Sequence, residues 1–167
     1  MTPAHKKIRS IAALLSLVRN AKKRGKIIVT TNGCFDILHI GHARNLAFAK
    51  SLGNILIVGV NSDASVRALK GSKRPILPAR ERAELLASLA HVDYVFVFGG
   101  KTPQAWLQKI KPHIHVKGRD RRLKEMVEKD TVEHHGGKIL FAPYEKGHST
   151  SEIIKRIILT HRSRSSR

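Results

Sequence analysis

Lys26-Ile-Ile-Val-Thr-Thr-Asn-Gly-Cys-Phe-Asp-Ile-Leu-His39-Ile-Gly-His42 decides the fold of this chain. Lys26 to Thr31 reads as a buried strand, because its apolar residues run without a polar face. A short loop carrying Gly33 follows, and then a helix over Gly41 to Ser51 that closes at Gly53. A strand, a glycine-bearing loop and a helix start bring backbone N–H groups and imidazoles to one point, which suits a phosphate. A His-x-Gly-His tetrapeptide alone carries little, since histidines near turns are commonly just solvated. The residues around it give it weight.

Working outward, Ile8, Ile11, Leu14, Leu15 and Val18 recur at helical spacing, so a helix is expected over residues 8–23, ending near Gly25. Ile55 to Val60 reads as a second buried strand, with a turn at Asn61 to Asp63 and a short helix from Ala64 to Leu69. After a loop from Gly71 to Pro78, a helix is expected over Ala79 to Ala90. Asp93 to Phe98 is the third strand, and Thr102-Pro103 opens another helix. Ile114 to Val116 and Lys138 to Ala142 are the fourth and fifth strands, separated by a polar, weakly packed helix over 121–135. Ser149 caps a last helix carrying Ile153, Ile154, Ile157 and Ile158. Apolar strands alternating with helices imply an α/β fold: a Rossmann-like, doubly wound, five-stranded parallel sheet with helices on both faces. The ligand of such a sheet sits beyond the carboxyl ends of its strands.

The expected organisation is one domain over 1–160, with 1–25 as an N-terminal helical extension and 161–167 as a disordered basic tail. The 167 residues are 41% apolar, enough for a core. No apolar run approaches the roughly 20 residues of a membrane span, and no signal peptide is expected. Cys34 is the only cysteine, so no intramolecular disulfide or cysteine zinc site forms, and a cytoplasmic location is expected. The net charge of +20 attracts anions, either small phosphorylated substrates or nucleic acid. Aromatic residues are only 5% and do not interleave with the basic clusters as stacking platforms would. A nucleic-acid-binding module is therefore the lesser reading.

The chemistry-bearing residues fall after strands one, two, four and five. His39 and His42 donate hydrogen bonds to phosphate oxygens and carry partial charge near neutral pH. Gly33 and Gly41 let backbone approach. Asn32, Cys34 and Phe35 belong to the same candidate phosphate-binding loop, Phe35 through its N–H, and no nucleophilic role is assigned to Cys34. Asp36 holds the loop in shape or meets the acceptor. Lys70, in a basic loop, neutralises phosphate and counts with the two histidines as catalytic. Arg82 is either a phosphate contact or an exposed arginine paired with Glu81 or Asp63. Asn61, Asp63 and Arg119 are expected on the acceptor side. Lys117, Gly118 and Asp120 join the nucleotide side. Glu145-Lys-Gly-His-Ser-Thr-Ser-Glu152 supplies Gly147, Ser149 and Thr150 at a helix N-terminus, where free N–H groups bind phosphate or Ser149 and Glu152 form a capping box. His148 is expected as an exposed loop residue. No metal-ligating cluster stands out, and Mg²⁺ is expected to ride on the nucleotide.

Asn32-Gly-x-Phe-Asp-x-Leu-His-x-Gly-His42, with the serine/threonine pair Ser149-Thr150, resembles the signature of the cytidylyltransferase-like nucleotidyltransferases over residues 26–158. In that superfamily the histidine pair binds the triphosphate and stabilises the transition state, roles that fall on His39 and His42. Val60-Asn-Ser-Asp-Ala-Ser-Val-Arg-Ala-Leu-Lys-Gly71, Arg74-Pro75, Glu81-Arg82, Val92-Asp93, Thr102-Pro103 and His115-Val-Lys-Gly118 are similar to the heptose 1-phosphate adenylyltransferase domains of bacterial ADP-heptose synthesis. The resemblance implies transfer of AMP from ATP to a sugar 1-phosphate, with pyrophosphate released and a homodimer as the assembly. A cytidylyltransferase for glycerol 3-phosphate or another alcohol phosphate is the alternative. Where those domains read Val-Lys-Gly-Gly-Asp-Tyr, this chain reads Val116-Lys-Gly-Arg-Asp-Arg121, a departure that bears on the acceptor.

Overall fold

The run after Lys26 forms strand β1 (Ile28–Gly33), which lies at the centre of the sheet in the computed structural model, described for residues 3–118, 127–143 and 147–162. The other strands are β2 (Ile55–Asn61), β3 (Tyr94–Phe98), β4 (Ile114–Gly118) and β5 (Lys138–Ala142). Their order is β3-β2-β1-β4-β5 and every pairing is parallel, as expected. The chain runs outward from β1 to β2 and β3, then returns to the other side of β1 for β4 and β5. That reversal puts a crevice beyond the ends of β1 and β4.

The register shows where the crevice begins. β1 pairs with β2 as far as Gly33 opposite Val60, but with β4 only as far as Thr31 opposite Val116. Asn32 and Gly33 therefore part from Lys117 and Gly118, and the notch opens between them.

Helices cover both faces, so alternate strand residues enter different cores. Leu56, Val58 and Val60 of β2 pack with Val29, Leu46 and Leu86, whereas Ile57 packs with Leu14, Ile28, Phe96 and Trp106. The helices are α1 (Ala4–Lys7), α2 (Ile11–Lys23), α3 (Ile40–Ser51), α4 (Asp63–Lys70), α5 (Ala79–Ala87), α6 (Gln104–Ile110), α7 (Lys129–Glu133) and α8 (Thr150–Arg162).

Some boundaries differ from the sequence reading for local reasons. α2 starts at Ile11 because the Ser10 hydroxyl accepts the Ala13 N–H at 3.2 Å, while Ile8 is extended and bridges Val95. α2 buries Leu14, Val18 and Ala21 in the core. α5 stops at Ala87, three residues short of Ala90, where Ser88 takes the C-cap. Of the helix expected over 121–135, Lys129–Glu133 is helical, and 121–126 lie outside the described residues. α8 continues through Arg162, past the expected start of the tail. No helix among the described residues is long and apolar enough to cross a membrane.

Candidate active site

His39 is the N-cap of α3, in extended conformation, and its side chain makes no capping hydrogen bond. The first-turn N–H groups of α3 thus face the crevice without that partner. The His39 and His42 rings stack with centroids 3.7 Å apart and planes inclined by 26°. Phe35 meets His42 edge-on at 5.2 Å. It holds a left-handed backbone, φ 48°, which is rare for a bulky residue and marks a chain bent around this point. The Nδ1 atoms of both histidines are buried without a hydrogen-bond partner.

Burial dominates the electrostatics of the pair. It pushes the pKa of His42 down to about 4, with His39 adding repulsion. It also lowers His39, with His148 as the second cause. Two half-buried, stacked imidazoles stay neutral until an anion arrives to favour the charged form. Gly41 makes the close packing feasible. A Cβ there would lie 3.1 Å from His39 Nδ1 and 3.5 Å from the Cβ of His148. His148 is exposed, as expected, but it belongs to this cluster, which no sequence spacing revealed.

Arg82 corrects the sequence reading. It is fully buried rather than exposed, and it pairs with Asp63, one of the two partners expected for it. Its Nε donates to Leu77 O at 2.8 Å, and Nη2 donates to Asn61 O at 2.9 Å and to the Asp63 carboxylate at 2.6 Å. Nη1 donates to Cys34 O. One guanidinium thereby ties the signature loop, the end of β2 and the approach to α5. Asp63 is its counter-ion, with a side chain that stays 32% exposed. Asn61 is buried and donates to Ser65 Oγ at 3.0 Å. Asp36 is buried too. Its carboxylate accepts the Ile76 and Leu77 N–H groups at 2.7 and 3.0 Å and pairs with Arg74. Of its two readings, loop-holding is the one the contacts support.

Across the notch, Lys117 pairs with Glu128 at 2.5 Å and donates to Asn32 Oδ1 at 3.2 Å. Both members of the ion pair are nearly buried, with side chains 12% and 7% exposed. Glu128 was missed from sequence, since its polar surroundings read as a solvated helix. Gly118 ends β4 beside this pair. Lys70 is exposed on the last turn of α4. Gly147 takes a left-handed turn, φ 81°, ahead of Ser149, whose hydroxyl accepts the Glu152 N–H at 3.1 Å. Thr150 Oγ1 lies 3.5 Å from Ile37 O, joining the start of α8 to the signature loop. Arg119, Asp120 and Arg121 lie outside the described residues.

A separate cleft of about 540 Å³ opens between α8 and the 73–76 loop, lined by Ile76, Ile154 and Ile158 together with Lys73, Arg74 and Lys155. None of the site histidines lines it.

Comparison with known proteins agrees with this arrangement. Residues 30–156 match the family model described as Cytidylyltransferase-like. A bifunctional protein HldE of Geobacter metallireducens is 46% identical over 152 residues, which cover 91% of this chain and 31% of that protein. A bifunctional protein HldE of Helicobacter pylori is 49% identical over 162 residues, covering 96% of this chain and 33% of that protein. The chain thus spans about a third of the length of these curated relatives. A solved lipopolysaccharide core biosynthesis protein from Thermoplasma volcanium superposes with a TM-score of 0.65 at 30% identity, over 73% of this chain and 100% of that one. With the match spanning all five strands and both ends of the histidine cluster, the chain belongs to the cytidylyltransferase-like family and is a nucleotidyltransferase.

Proposed function

We propose that this protein transfers AMP from ATP to a sugar 1-phosphate of the heptose 1-phosphate type and releases pyrophosphate. The observation that carries the reading is the stacked His39–His42 pair at the start of α3, facing the notch between β1 and β4. The choice of acceptor rests on the segments from Val60 to Gly71 and His115 to Gly118. The names of the similar proteins agree with it.

In this reading an acceptor phosphate oxygen attacks the α-phosphorus. The bond from that phosphorus to the bridging oxygen of the β-phosphate breaks, and pyrophosphate leaves with the electron pair. The protein needs no covalent intermediate, so catalysis is positioning plus neutralisation of charge in the transition state. His39, His42 and the N–H groups at the start of α3 hold phosphate oxygens. Lys117, held by Glu128 and Asn32, offers an ammonium N–H donor across the notch, its charge balanced by Glu128. Ser149 and Thr150 set the start of α8 against the same loop, and Lys70 neutralises from α4.

The donor set fits Mg²⁺ carried by the triphosphate. Asp36, Asp63 and Glu128 already face Arg74, Arg82 and Lys117. Among the described residues no cluster of three or more His, Cys, Asp or Glu side chains forms a metal cage. Bound through phosphate oxygens and water, the ion supplies further charge neutralisation.

Pyrophosphate release tests the reading with ATP and CTP against a panel containing heptose 1-phosphate and glycerol 3-phosphate. Turnover is expected with ATP and the sugar 1-phosphate. Preference for CTP, or for glycerol 3-phosphate, overturns it.

A further inference from the structure

We propose that His148 is a third phosphate-binding imidazole of this site, closing over the triphosphate beside His39 and His42. The inference rests on the triphosphate reading of the site and adds a residue that the signature does not contain.

The placement comes from contacts between two distant segments. The Cβ of His148 would be 3.5 Å from a Cβ on Gly41, the residue between the two signature histidines, and His39 Nδ1 lies 3.1 Å from the same point. His39 and His148 therefore flank one bare Cα, with His42 stacked on His39 at 3.7 Å. The three histidines are thus brought to one place from the start of α3 and the approach to α8. Charge on His148 is the second cause, after burial, of the lowered His39 pKa, which places the two side chains within electrostatic reach.

The backbone around His148 is held while its side chain is not enclosed. Gly147 turns the chain with φ 81°, the Ser149 hydroxyl caps the first turn of α8, and Thr150 contacts Ile37 O. His148 itself is exposed, so its ring can move onto an incoming anion without unpacking a core. Three adjacent imidazoles repel when charged, and a polyphosphate between them converts that repulsion into several charge-assisted hydrogen bonds. The buried, unpartnered Nδ1 atoms of His39 and His42 show that the pair is not satisfied by the protein alone. A neutral ligand would not draw the three together.

Calorimetric titration of the whole chain with inorganic pyrophosphate, ATP and adenosine tests this. His148→Phe keeps the ring size and removes both nitrogens. It should weaken pyrophosphate and ATP about tenfold, the effect of losing one charge-assisted hydrogen bond, and leave adenosine unchanged. His148→Arg should restore polyphosphate affinity to within about threefold of wild type. If thermal melting shows His148→Phe to be misfolded, His148→Leu, which also lacks any side-chain nitrogen, carries the same test. Unchanged pyrophosphate affinity overturns the inference. So does an equal loss for adenosine, which would assign His148 to loop packing. If wild type binds neither ATP nor pyrophosphate, the triphosphate reading itself falls. If wild type binds both and His148→Phe matches it, only the role of His148 falls.

Discussion

His39 and His42 stack face to face at 3.7 Å, and each keeps its Nδ1 buried without a partner. Burial lowers both pKa values, so the unliganded pair is neutral near pH 7. A polyanion favours the charged imidazolium and raises those values. Pyrophosphate binding near pH 6 should therefore take up protons. Titrations in buffers of different ionisation enthalpy will show a buffer-dependent heat. That dependence should shrink in His42→Gln, and a buffer-independent heat in wild type would contradict the account.

The same shift makes stability depend on pH. His42 has a pKa of about 4 when folded, against 6.5 for the ordinary side chain. Between those values the unfolded chain binds more protons than the folded one, so stability falls as pH drops from about 6.5 toward 4. Above 6.5 the stability of the neutral, buried ring is fully present. The loss from this group is at most roughly 3 kcal/mol and is reduced by solvent access. Urea unfolding at pH 7.5 and pH 4.5 should show a smaller difference for His42→Phe than for wild type. Equal differences would remove His42 as the cause.

Arg82 tests the scaffold rather than the chemistry. Its removal leaves the Cys34, Asn61 and Leu77 carbonyls and the Asp63 carboxylate without their donor. Arg82→Met should cost about 3–5 kcal/mol in chemical unfolding. Lysine should not rescue it, because one ammonium cannot span the positions a planar guanidinium reaches. An Arg82→Met protein with wild-type stability and only a raised KM for ATP would return Arg82 to the phosphate.

Much of this was legible in the sequence where a pattern is local. The strands with uninterrupted apolar runs, such as Ile55 to Val60, needed no tertiary context, and their parallel order followed from the helices between them. His39 and His42 were readable because strand, glycine loop and helix are contiguous. Arg82 was not readable, since a buried guanidinium is justified only by carbonyls from three separate segments. Glu128 was equally hidden, because its partner Lys117 comes from another element across the notch. The protein contacts of Asp36, Asn61 and Asp63 were not readable either, for one reason. A polar residue near a ligand loop looks the same in sequence whether it faces the ligand or holds the loop.

Gly41 joins the local pattern to the tertiary one. Its helical backbone accepts alanine, but the added methyl would press on His39 Nδ1 at 3.1 Å. Gly41→Ala should leave the melting temperature nearly unchanged and lower kcat by about 10- to 100-fold through a displaced imidazole. Wild-type kcat in this variant would show that the His39 position tolerates movement.

The most direct measurement is pyrophosphate release from ATP with heptose 1-phosphate, comparing wild type with His39→Ala and His42→Ala. Losing one preorganised charge-stabilising group typically raises the barrier by about 3 kcal/mol or more. Each variant should turn over roughly 10²- to 10⁴-fold more slowly than an active wild type, with its melting temperature showing a folded protein. Full activity in either folded variant would contradict the claim that the stacked imidazole pair performs the transfer.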